Sequence, residues 1–145
     1  MFLGTAFTSQ SPKKVQILKD HLFCINQDGL IERVIAPDEQ GYNDLLQTEP
    51  VQRLSPGQYL LPGFIDLHVH APQWAQAGAA LDVPLYDWLH TYTFPLEAKF
   101  SDADFASEVY SDLVDTLLAN GTTTALYFAT VHKEASLLLA ALCAN

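Results

Sequence analysis

The sequence predicts an α/β protein in two parts, a run of short strands followed by the alternating strands and helices of a parallel sheet. Three observations lead there. Residues 1–54 hold short β-type runs separated by turn signals, of which Asp28-Gly29 is the strongest. From residue 61 onward, segments of strand character alternate with segments of helical period. Within that second part, Phe105, Val109, Tyr110, Leu113, Val114, Leu117 and Leu118 recur with the spacing of one buried helix face. The boundary between the parts falls at the turn residues before Leu61, giving residues 1–60 and 61–145.

Composition bounds the function. The chain has 145 residues, 49% of them hydrophobic, enough for a sizeable core. A net charge of −10 with only seven Lys and Arg excludes a nucleic-acid partner, which needs clustered cations. Cys24 and Cys143 lie far apart and form neither a disulfide framework nor a zinc knuckle. Neither a basic leader with an apolar stretch behind it nor a membrane-length apolar run is present, so the expectation is a soluble, cytoplasmic protein.

In chain order, residues 1–9 read as a first strand and Ser11-Pro12 with the two following lysines as a turn. Residues 15–20 and 22–26 read as further strands, the latter joined through Asp28-Gly29 to residues 30–35 as a hairpin. A short acidic helix is expected over 38–47, weakened by Gly41, and a short strand over 51–54. This first part carries no recognisable chemistry.

Pro62 and Gly63 then introduce the apolar run 64–70, read as a buried strand. Residues 75–80 suit a loop, and Pro84 opens a helix through His90 with Leu85, Trp88 and Leu89 as its buried stripe. Ser101 is the expected N-cap of the next helix, with Asp102 and Asp104 in its first turn. Its acids, including Asp112, read as the solvated face, and Gly121 stops it. Residues 122–130 read as a buried strand and 134–144 as a last helix.

The chemistry concentrates in residues 61–73, L-P-G-F-I-D-L-H-V-H-A-P-Q. Alternate strand residues share a face, which puts Asp66, His68 and His70 together. Two imidazoles about 6.5 Å apart along a strand can converge on one metal ion. A catalytic zinc needs about three protein ligands, so two histidines are an incomplete set. His132 follows the second strand, where a site could recruit it, but Lys133 and Glu134 suit a helix start and it reads as structural. His90 and His21 read as surface or helix-face residues with no partner at ligand spacing.

The pattern P-G-F-I-D-L-H-V-H resembles the first barrel strand of the amidohydrolase superfamily of metal-dependent hydrolases. H-A-P-Q-W, the run L-D-V-P-L-Y-D-W-L over 81–89, Y-T-F-P over 92–95 and N-G-T-T-T-A-L-Y-F-A-T-V-H over 120–132 resemble its guanine deaminase branch, a likeness covering most of residues 58–140. The resemblance implies that residues 1–60 belong to a small β-sandwich and that 61–145 begin a (β/α)₈ TIM barrel. Such a barrel needs about 250 residues, and two βα units are present, so the expectation is an N-terminal portion of a longer enzyme. A strand pair cut from such a barrel should show an unpaired edge and bare apolar faces.

The same resemblance implies His68 and His70 as ligands of one Zn²⁺ per subunit. It implies His70, Ala71, Pro72 and Gln73 as substrate-binding residues, with Gln73 hydrogen-bonding the purine and Trp74 or Trp88 near the pocket. The implied reaction is hydrolysis of guanine to xanthine and ammonia in purine catabolism, by a homodimer. Two more histidines, an aspartate, a proton-shuttling glutamate and an arginine belong to later strands of that family. No catalytic acid or base is therefore expected in these residues, and the 145-residue chain alone is expected to be inactive and to hold metal weakly. The competing expectations are an amidohydrolase deaminase or chlorohydrolase acting on another heterocycle, and a non-catalytic scaffold.

Overall fold

The structure, a computed structural model, describes residues 1–144. It is an α/β protein of two compact units, Met1–Pro62 and a second beginning at Gly63.

In the first unit, strands β1 (Phe2–Ser11), β2 (Lys14–Ile25) and β3 (Ile31–Ile35) form an antiparallel meander. The expected break between residues 20 and 22 is instead a bulge within one twelve-residue strand. Gly4 faces His21 while Ala6 faces Leu18, and Asp20 absorbs the extra residue with φ 53°, a left-handed conformation that Asp tolerates better than most. The 28–29 turn forms as predicted. Gly29 takes φ 79°, and the Asn26 side chain accepts hydrogen bonds from the Asp28 and Leu30 amides at 3.0 and 2.9 Å.

Helix α1 (Tyr42–Thr48) begins later than expected, because Gly41 at φ 89° precedes the helix rather than weakening its interior. Strands β4 (Gln52–Arg53) and β5 (Tyr59–Leu60) run parallel to β1, and no sequence pattern announces β5. The core joins Leu3, Leu22, Ile35 and Tyr42. The Tyr42 hydroxyl donates to the Asp20 carbonyl at 2.5 Å; burial, with the Asp20 carboxylate adding to it, raises its pKa.

In the second unit, β6 (Phe64–His70) and β7 (Thr122–Phe128) are parallel, and everything between them is crossover. A Cβ built on Gly63 would overlap the Thr123 side chain, so this approach to β6 requires glycine. The crossover starts with a 3₁₀ turn, Ala71–Gln76, where irregular loop was expected from residue 75. Helix α2 (Leu85–Trp88) starts after Pro84 as predicted but does not stop at His90. It passes through a wider π turn, Leu89–Thr93, into α3 (Phe94–Ala98). Pro95 explains the π turn, since it lacks an N–H and its ring crowds the carbonyl four residues back, which the wider turn accommodates. The expected stripe is only partly buried: Leu85 is 69% exposed, and the helical run packs through Thr93 instead.

Helix α4 (Ala103–Ala119) carries the predicted apolar stripe, but its N-cap is Asp102, not Ser101. The Asp102 carboxylate accepts from the Asp104 and Phe105 amides at 2.9 and 3.3 Å, while the Ser101 hydroxyl donates backwards to the Ala98 carbonyl. Gly121, φ 88°, ends α4 as predicted, its N–H reaching the Leu118 carbonyl at 2.9 Å. Helix α5 (Lys133–Ala144) packs on α4, and the core joins Ala71, Phe100, Ala106, Val109, Tyr110, Leu113, Ala135 and Leu139.

The two strands are not buried as the apolar runs suggested. Ile65 and Leu67 are 67% exposed, Leu126 49% and Phe128 43%, because the helices cover one face of a two-stranded sheet and leave the other bare. Among the described residues, no helix is long and apolar enough to cross a membrane.

Candidate active site

β6 ends at His70, and the 3₁₀ turn takes the chain across the ends of the strands without an intervening linker. Its first residues fix it. Ala71 is fully buried in the helical core and Pro72 is buried beside it, at a turn position where its missing N–H is no loss. Gln73 follows, half-buried, and lines the same cavity of about 390 Å³ as Asp66, His68 and His70.

The imidazoles of His68 and His70 face each other, Nε2 to Nε2 at 3.0 Å, with ring centroids 5.0 Å apart. One ring donates to the other, an arrangement in which a cation can replace the shared proton. Two nitrogens bound to one tetrahedral zinc at about 2.0–2.1 Å stand roughly 3.4 Å apart, so a small ring rotation fits the pair to a metal. Asp66, expected on the same face, is not there: a register irregularity between Asp66 and Val69 sets it beside Ala125, on the side of Tyr127, and its carboxylate accepts the His68 backbone N–H at 3.0 Å. Among the described residues, no group of three or more His, Cys, Asp or Glu side chains is placed to hold a metal. The cavity thus presents two imidazole nitrogens close enough to share one cation.

Phe128 reads from the sequence only as a strand residue, yet its ring lies 4.6 Å from the His68 ring and 4.9 Å from that of His70. The signal lies in the pairing, since parallel register sets His70 beside Phe128. Packing one aromatic against both imidazoles limits their rotation. Trp74 and Trp88 also line the cavity. The Trp74 indole N–H donates to Asp112 on α4 at 2.7 Å, so this acid is more than solvated surface, and that of Trp88 donates to the Ala79 carbonyl at 3.2 Å. Gln76 donates to the Thr93 hydroxyl at 2.6 Å.

The remaining histidines stand apart from this cluster. His132 Nδ1 lies 3.1 Å from the Thr130 hydroxyl at the start of α5, His90 contacts the Tyr86 carbonyl at 2.8 Å, and His21 contacts the Lys19 carbonyl at 2.8 Å. Behind the sheet, burial pushes the Tyr127 phenol up to about 12, with Cys143 and then Asp66 adding to the shift.

The sequence profile of the amidohydrolase family matches residues 59–144, which include every residue of this cavity. The chain belongs to the amidohydrolase family. Within that family it is 42% identical to the guanine deaminase of Dictyostelium discoideum and 40% identical to that of Homo sapiens. Each alignment covers 97% of this chain and 34% or 32% of the relative. A solved guanine deaminase from C. acetobutylicum, with guanine bound in its active site, superposes with a TM-score of 0.75 at 34% identity, over 95% of this chain and 32% of that one. The chain thus spans about a third of the length of the amidohydrolases it matches.

Proposed function

We propose that this chain supplies the first metal ligands and a purine-binding amide of a zinc-dependent guanine deaminase. The observation that carries the reading is the convergence of the facing His68 and His70 nitrogens and Gln73 on one cavity, in a chain 40–42% identical to guanine deaminases. In this reading residues 1–60 are part of a β-sandwich and residues from 61 begin a (β/α)₈ barrel, whose catalytic face lies at the C-terminal ends of the strands. His70 and Gln73 sit at that end of β6. A cytoplasmic homodimer belongs to the same reading.

His68 and His70 would hold the ion through Nε2. When bound, zinc supplies a water that is nucleophilic near neutral pH. Phe128 restrains the two rings, and the buried Ala71 and Pro72 back the turn so that it does not yield when the base enters. Gln73 presents a donor and an acceptor together, which suits the mixed edge of guanine. The net change is replacement of the exocyclic amine at C2 by the oxygen of water, giving xanthine and ammonia. The group that carries the proton to the leaving amine lies outside residues 1–145 in this reading, so the 145-residue chain alone is inactive.

The test is turnover by the complete gene product with zinc. Guanine should yield xanthine and ammonia, cytosine and triazines should not react, and Gln73→Ala should raise KM for guanine about tenfold or more, the effect of losing a paired polar contact. Absence of guanine turnover in the zinc-loaded protein, or a Gln73→Ala variant indistinguishable from the parent, contradicts the reading.

A further inference from the structure

Among the described residues of the second unit, Thr93 is the buried polar one, 1% exposed, and it ends the π turn that accommodates Pro95. Its hydroxyl accepts the Gln76 side-chain N–H at 2.6 Å. Gln76 is the last residue of the 3₁₀ turn, and Gln73 stands three residues before it. In a 3₁₀ helix, residues i and i+3 eclipse on one face, and both glutamines line the cavity. A hydrogen bond that fixes Gln76 therefore fixes the face from which Gln73 acts. The other end of the turn is held by packing, through Ala71 and Pro72. Thr93 thus supplies the polar hold at the open end, and an unmade bond there would leave a partly buried amide unpaired.

We propose that Thr93 is a positioning residue for the Gln73 amide, acting through Gln76. This role rests on the guanine deaminase reading above and extends specificity to a residue that cannot touch substrate. It also explains what the π turn contributes, because the wider turn sets the register at which residue 93 meets the 3₁₀ turn.

The experiment uses the complete zinc-loaded gene product and a double-mutant cycle. Thr93→Val keeps the shape and removes the hydroxyl; it should raise KM for guanine about fivefold to tenfold with kcat within about twofold. Thr93→Ser should restore the parent KM, and Gln76→Met should reproduce the Thr93→Val effect from the other partner. In a Gln73→Ala background, Thr93→Val should change KM no further, because its effect passes through Gln73. Additive effects, a kcat loss without a KM change, or failure of Thr93→Ser to restore KM would overturn the positioning role. The two readings fail separately. If Gln73→Ala itself leaves guanine KM unchanged the deaminase reading falls, and if only the Thr93 variants are silent the positioning role alone falls.

Discussion

The two faces of the β6–β7 pair are built from the same strands and have opposite fates. On one, Tyr127 packs with Val114, Leu117 and Leu142 against the α4–α5 core, whose Phe100 and Tyr110 are almost fully buried. The other carries His68, His70 and Phe128, stacked on one another and exposed. The closed face satisfies its residues locally, because its covering helices follow each strand in sequence. The open face has no such cover among the described residues, and its two histidines pair only with each other and with Phe128. Apolar sequence alone does not say which face closes; a partner within reach does.

Stability measurements should sharpen that contrast most. In the 145-residue chain, Phe100→Ala, in the closed core, should cost about 3–5 kcal/mol in urea unfolding, whereas Leu67→Ser on an exposed strand position should stay within about 0.5 kcal/mol. Comparable losses at both sites would mean that the exposed strand surface is covered in solution. A smaller effect is expected at the helix that closes the covered face: Asp102→Ala should cost about 1 kcal/mol and Ser101→Ala a few tenths, as only the first accepts the end amides of α4. The reverse order would return the cap to Ser101.

The smallest effect is in alkali. Folding raises the Tyr127 phenol to about 12, with burial as the main cause. The folded state therefore keeps a proton there that the unfolded chain releases near 10, and stability should fall as pH rises from about 10 to about 12. Tyr127→Phe should flatten that slope, read from urea midpoints across the window. An unchanged slope would show that the phenol is not held protonated by folding.

Much of this was legible in the sequence, and the failures share a cause. The α4 stripe, the Gly121 stop and the 28–29 hairpin depend on local chemistry and came out as predicted. The His68–His70 pairing followed from strand periodicity alone. What sequence reading missed depends on register or on competition between neighbours. Phe128 meets the histidines only because β7 pairs with β6 at that register. Ser101 and Asp102 are both good caps, and the 3₁₀ turn over residues 99–101 decides between them by bonding Ser101 backwards. The Gln76–Thr93 bond links residues seventeen apart through a π turn, which no periodicity announces. The strands 64–70 and 122–130 look buried because their composition is that of a sheet covered on both faces, and the described residues cover only one.

The most direct test is the zinc content of the complete gene product, measured by mass spectrometry after exhaustive dialysis, for the parent, His68→Ala and His70→Ala. The parent should carry one zinc per chain, and each variant should show a metal affinity lowered at least about tenfold, with guanine turnover lost along with the metal. Full zinc retention and undiminished turnover in both variants would contradict this, since His68 and His70 would then not be ligands.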